Sequence, residues 1–167
     1  GLHEGERSVG QMILYHSSTV AVPVPDILHS RDYLDFGKGF YMTSIHEQAI
    51  KYAQRFIRRN RDAWLNSYEF KCDWAAWNVL RFDAYDKDWL QFIAKCRTGN
   101  DDTDYDIVIG GIANDKVIQT LDRYFNRELS ENEALGILKY KKPNIQYCIR
   151  SQVMLDKCLK HTESKQL

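Results

Sequence analysis

The chain has 167 residues, with 23 Lys+Arg set against 23 Asp+Glu, 44% hydrophobic residues, and only 9 Gly and 3 Pro. That length suits one domain with a real core, and the composition excludes a disordered, collagen-like or low-complexity chain. Zero net charge excludes a surface built throughout to grip nucleic acid or anionic membrane, while leaving room for a local basic patch.

Residues 1–11 (GLHEGERSVGQ) are polar and aperiodic, and read as a leader ahead of a native initiator at Met12, or as a disordered arm. A single domain is expected over 12–160, followed by a polar tail at 161–167. Met12 to His16 reads as a strand, Ser17 to Gly39 as a turn-rich stretch holding Pro23 and Pro25, and Phe40 to Thr43 as a second strand. A helix is predicted from Ser44, with Ser44 as N-cap and Glu47 completing a capping box. Ser67 to Lys71 and Asn78 to Phe82 suit strands around an aromatic turn, Trp74 to Trp77. Asp86 to Arg97 has helical periodicity, and an acidic loop (Asp101, Asp102, Asp104, Asp106) follows it. Tyr105 to Ala113 (YDIVIGGIA) is nearly all apolar, as in a strand buried on both faces. Asn114 caps a helix reaching about Asn126, and Ser130 starts another with Glu133 as capping-box partner. Asn144 to Arg150 reads as a last strand and Ser151 opens a C-terminal helix. The expected class is a mixed α+β domain with no doubly wound series.

Cys72, Cys96, Cys148 and Cys158 form no Cys-x-x-Cys pair and no zinc-like spacing. They read as reduced thiols in a cytoplasmic chain without a metal. No run approaches the roughly 18 apolar residues of a membrane helix, so no membrane partner is expected.

Three segments carry side chains able to handle a dinucleotide. In Leu14-Tyr15-His16-Ser17-Ser18 an imidazole and two hydroxyls sit at a strand end; alone, the plainer reading is a histidine satisfied by its neighbours. In Gly37-Lys38-Gly39-Phe40-Tyr41 the glycines let backbone approach a ligand and Tyr41 offers a ring face. Because this segment precedes a strand, it is no Rossmann loop, which would open a helix. In Asn144-Ile145-Gln146-Tyr147 a neutral amide lies on a strand, and the plain alternative is an ordinary half-exposed residue.

In order and surroundings these segments resemble the three signature strands of the ADP-ribosyltransferase superfamily, in the branch of diphtheria toxin and the poly(ADP-ribose) polymerases. His16-Ser17-Ser18 stands for its His-Gly-Ser, Gly37 to Met42 for its Gly-x-Gly-Ile-Tyr-Phe, and Gln146-Tyr147 for its Glu-Tyr. Tyr52 follows Tyr41 at the spacing of that branch's second tyrosine. The chain resembles in particular a bacterial family of unassigned function within the superfamily, through Asp35 to Tyr41, Asp106 to Gly110, Ala113-Asn114-Asp115 and a late Gln146. The resemblance implies a split mixed-sheet core flanked by helices. It also implies a glycosyltransferase that cleaves the nicotinamide–ribose bond of NAD, its co-substrate, and moves ADP-ribose to a macromolecular acceptor. His16 would bond the adenosine ribose, the Ser17 backbone and Ser18 would hold the carboxamide, and Gly37 and Gly39 would bring the backbone close. Tyr41 and Tyr52 would wall the nicotinamide ring, Gln146 would meet the ribose 2′-hydroxyl, and Arg31 would reach the pyrophosphate. His16, Tyr41 and Gln146 are the expected catalytic set. By analogy the protein is a toxin-like effector, and a neutralising antitoxin is the partner that implies.

Three departures matter: Ser17 replaces the usual glycine, Ala49 replaces a helix serine, and Gln146 replaces the glutamate. An amide offers a dipole where a carboxylate offers charge, so mono-ADP-ribosylation is expected rather than polymer synthesis. An NAD glycohydrolase and a catalytically silent NAD- or ADP-ribose-binding module are the alternatives. Lys51, Arg55, Arg58, Arg59 and Arg61 read most plainly as a solvated helix face, and otherwise as a surface that steers a polyanion. Asn114-Asp115 suit a helix cap, Trp64, Trp74, Trp77 and Trp89 suit core or interface, and Asp101 to Asp106 lack a calcium-loop pattern.

Overall fold

The computed structural model describes residues 9–30 and 34–167. In chain order its elements are β1 (Val9–Ser18), β2 (Phe40–Met42), α1 (His46–Arg58), β3 (Trp64–Asp73), a 3₁₀ turn (Trp74–Ala76), β4 (Val79–Arg81) and α2 (Lys87–Arg97). They continue as β5 (Ile107–Ile112), α3 (Asp115–Phe125), α4 (Glu131–Leu138), β6 (Asn144–Ile149), α5 (Gln152–Cys158) and β7 (Leu159–Gln166). The strands form two sheets, ordered β1-β3-β7 and β2-β6-β5-β4. All pairs are antiparallel except β4–β5, which α2 connects as a single βαβ unit. The class is α+β.

β5 explains how the layers stack. Its side chains alternate, so Val108 enters one core and Ile107 and Ile109 enter the other. On one face α2, α3 and α4 pack Trp89, Leu90, Ile93, Val117, Leu121 and Leu138 against the second sheet. On the other, Phe40, Met42, Ile107 and Ile149 meet Leu14, Tyr68 and Phe70 of the first sheet, with Met154 and Leu155 of α5. Trp89 is wholly buried and its indole N–H donates to the Gly111 carbonyl at 2.7 Å, so burying it strands no donor. Helix α1 lies on β1 and β3 through Ala49 and Ala53.

Several expectations hold in detail. Asn114 caps α3 through Val117 N–H, Ser130 and Glu133 make the reciprocal capping box of α4, and Ser151 caps α5 through Met154 N–H. Besides β3, which runs over Trp64–Asp73 where Ser67 to Lys71 is expected, three boundaries differ. Helix α1 starts at His46, and Ser44 is exposed rather than capping. The N-cap is Ile45, without a side-chain cap, and Thr43 orders the turn before it, its buried hydroxyl accepting from Ile45 N–H at 3.1 Å and donating to Gln48 Oε1 at 3.1 Å. Residues 1–8 lie outside those described, but Val9 to Gln11 are strand, paired with Lys71 to Asp73. A Cβ on Gly10 would come within 2.5 Å of the Trp74 ring, so glycine is what lets that ring lie across β1. The polar tail expected over 161–167 is instead largely β7, paired with Trp64 to Phe70 of β3. Its hold is polar, since Ser164 Oγ donates to Asn66 Oδ1 at 2.6 Å and Thr162 Oγ1 to the Ser67 carbonyl at 3.0 Å. No apolar period announces such a strand. Its lysines and glutamate suit an edge that must not recruit further strands.

All four cysteines are free and buried. Burial pushes the Cys72 thiol up to about 11 and those of Cys96 and Cys148 to about 12, so none is poised as a nucleophile. No helix among the described residues is long and apolar enough to cross a membrane.

Candidate active site at the seam between the sheets

β1 and β2 belong to different sheets and touch through one bridge. Tyr15 N–H donates to the Thr43 carbonyl at 2.8 Å and Thr43 N–H returns to the Tyr15 carbonyl at 3.0 Å. Beside it, His16 Nδ1 donates to the Tyr41 carbonyl at 2.7 Å. A carbonyl can only accept, so the proton sits on Nδ1. Nε2 therefore keeps its lone pair, with no protein partner among the described residues. The ring stacks on Phe40, centroids 4.2 Å apart. Burial holds its pKa below the ordinary 6.5, only partly offset by the Tyr41 bond, so the imidazole is neutral.

Strand alternation then locates an open hydrogen-bonding edge. In a regular antiparallel pair, successive residues turn their main-chain groups to opposite sides. The β1–β3 register is regular from Val9↔Asp73 to Ser18↔Trp64, and Tyr15 directs its N–H and C=O away from β3 to Thr43. Ser17, two residues on, must point the same way, beyond the end of the bridge. Its N–H and C=O have no partner among the described residues. The Ser17 side chain is committed elsewhere, its hydroxyl donating to the Ala49 carbonyl of α1 at 2.6 Å. Ser18 Oγ accepts from Val20 N–H at 3.3 Å and shapes the turn after β1.

Tyr41 is half-buried, its hydroxyl donating to the Gly37 carbonyl at 2.5 Å and accepting from Phe36 N–H at 3.0 Å. Desolvation drives the phenol pKa well above its ordinary 10, so the ring stays neutral. Across the strands Tyr41 pairs with Cys148, and Gln146 follows one side-chain repeat along β6 on the same face. Gln146 lies opposite Gly110, half-buried, and its amide makes no hydrogen bond among the described residues. His16, Ser17, Tyr41 and Gln146 thus come from three strands beside one seam, with the His16 ring on the Phe40 face between the sheets and the Tyr41 ring on the opposite, helix-covered face. Tyr52 is 44% exposed on α1, three residues after Ala49 and so on the same side of the helix as the Ser17 contact. Its ring meets Phe56 edge-on and lies under Arg55. Arg31 lies outside the described residues.

The segment Asp35 to Gly39 has structural work of its own. Asp35 accepts from Arg97 Nε at 2.8 Å and from Ala113 N–H at 2.9 Å. Gly37 has φ of 76°, in the left-handed region, and a Cβ on Gly39 would lie 2.5 Å from Cys148 Sγ and 2.9 Å from the Ile149 carbonyl. These glycines bring the loop onto β6, where the residue pattern alone suggests close approach to a ligand. Asn66, unmarked by any motif, is wholly buried opposite His16. It donates to the His16 carbonyl at 3.2 Å and accepts from Val22 N–H at 2.8 Å, fixing the end of β1 and the turn beyond. An amide in line with Tyr68, Phe70 and Cys72 on the buried face of β3 is the signal that could have found it.

One family profile, described as a protein of unknown function (DUF3990), matches residues 12–161, nearly the whole chain. No curated protein and no solved structure matches. The chain belongs to the DUF3990 family.

Proposed function

We propose that this protein is an NAD-dependent mono-ADP-ribosyltransferase, built on an ADP-ribosyltransferase-like sheet core. The observation that carries the reading is the open edge at Ser17. An N–H and a C=O side by side on an extended strand are the complement of a primary carboxamide, whose oxygen accepts and whose NH₂ donates. Nicotinamide presents that group. With the carboxamide paired there, His16 Nε2 accepts from a ribose hydroxyl, its tautomer set by the Tyr41 carbonyl. The Tyr41 ring forms one wall for the nicotinamide and Tyr52 the other, both holding the leaving group in place and excluding water. Gln146 bonds the 2′-hydroxyl of the reacting ribose. The C1′–nitrogen bond breaks with its electron pair passing to nicotinamide. The acceptor nucleophile then bonds to C1′ and releases its proton to solvent. Gln146 lends a dipole where a carboxylate would lend charge, which costs about 3 kcal/mol of transition-state stabilisation and suits slow single transfer.

Nicotinamide release from NAD tests this. Wild-type protein releases nicotinamide, His16→Ala loses at least about tenfold of the rate, and Gln146→Glu alters it by a similar factor. NAD-dependent stabilisation without release identifies a silent binding module, and an unchanged rate in Gln146→Glu removes Gln146 from the ribose site.

A further inference from the structure

Helix α1 carries a row of cations, of which Arg55 lies over the Tyr52 ring. Lys51, Arg55, Arg58 and Arg59 recur at three- and four-residue spacings, so they share one side of the helix, and all four are exposed. None joins an ion pair among the described residues, and the one acid on α1 is Glu47, at its other end. Arg55, Arg58 and Arg59 line a surface cavity of about 400 Å³, whose further wall is Asp115 at the start of α3. A merely solvated helix face interleaves acids at i±4, which lowers mutual repulsion. This row has only Glu47, four residues before Lys51, and no acid of α1 beside its arginines, whose three guanidinium groups converge on one hollow.

We infer that this row and its cavity bind the phosphate backbone of a nucleic-acid strand, which is then the acceptor class. Guanidinium forks match phosphate oxygens two bonds at a time. From Lys51 to Arg59 the row runs about 12 Å at the rise of an α-helix, long enough to meet successive phosphodiesters, where a lone diphosphate would fill one fork. The cavity wall is charged throughout, without the apolar anchor on which a protein partner depends. Nucleic-acid interfaces are polar and cationic in this way. Asp115 can accept from a base amino group. The row starts beside Tyr52, so a strand lying along it leads to the seam. Naming the strand as acceptor rests on the proposed transferase reading, whereas its binding does not.

Binding is therefore measured on the full chain without NAD, by fluorescence anisotropy of a labelled mixed-sequence 15-nucleotide single strand, as RNA and as DNA, across a salt series. At least one binds. Arg55→Ala/Arg58→Ala/Arg59→Ala weakens it by roughly tenfold and lowers the slope of log affinity against log salt by about 2, the value for three lost phosphate contacts on a single strand. Lys71→Ala/Arg123→Ala/Lys157→Ala removes equal charge elsewhere and leaves the slope unchanged. Arg58→Lys/Arg59→Lys keeps the slope near wild type and guards against misfolding. Failure of both oligonucleotides to bind, an unchanged slope in the first triple variant, or displacement by polyglutamate or inorganic diphosphate as effective as unlabelled RNA would each overturn the inference. Loss of NAD turnover with intact strand binding would sink the transferase reading alone.

Discussion

Two sets of arginines divide the molecule. Arg97 and Arg150 are largely buried, and each closes onto a carboxylate far away in the chain, Asp35 and Asp101. Arg150 also donates to the Thr103 carbonyl at 2.9 Å; burial alone would raise the Asp101 pKa, but bonds from the Thr103 hydroxyl and N–H, with Arg150, outweigh it and lower the pKa. Arg55, Arg58 and Arg59 are exposed and form no ion pair among the described residues, although Asp115 lines the same cavity. The first set is architecture, because a buried guanidinium must be paired to be tolerated. The second has no such role, which leaves it free for a ligand. Residue types alone point the other way, towards Asp35 to Tyr41 as ligand-facing and the α1 cations as solvated surface.

That division can be broken experimentally. Asp35→Ala should cost about 3 kcal/mol, because it strands Arg97 at 21% exposure and orphans Ala113 N–H; urea unfolding reads it as a lower midpoint. Stability within about 0.5 kcal/mol of wild type would return Asp35 to the ligand-facing reading. Gly39→Ala should cost about 2 kcal/mol, since the added methyl meets Cys148 Sγ and the Ile149 carbonyl and backbone cannot yield cheaply. A variant that is stable yet cannot bind NAD would instead make Gly39 a ligand contact. The smallest effect belongs to His16. Its folded pKa is depressed, so the unfolded chain binds more protons. The associated stability is complete above the ordinary 6.5 and is lost as pH falls through the lower folded value. Unfolding free energy followed from pH 8 to pH 5 should decline more in wild type than in His16→Gln; parallel curves would mean that His16 titrates freely.

Much of the fold can be read from the residues. Capping residues such as Asn114, Ser130 and Ser151 act through local bonds, so their positions are visible without tertiary knowledge. The apolar run at 107–112 announces a strand covered on both faces. β7 is invisible because backbone pairing to β3 and side-chain bonds to Asn66 and Ser67 hold it, neither of which leaves a hydrophobic period. At the seam, residue types single out His16, Tyr41 and Gln146. What they cannot reveal is direction: that Nδ1 of His16 is the bonded nitrogen, that the Ser17 hydroxyl is already engaged, or that its main chain is open. Those follow from register, which only the paired strands set.

The transferase reading is met most directly by NAD labelled in its adenylate phosphate, incubated with the protein and a cell lysate, with the products then divided between protease and nuclease digestion. Label is expected on macromolecules, released by nuclease, and absent with His16→Ala and Tyr41→Ala. Label remaining wholly in small molecules, with or without nicotinamide release, would contradict it.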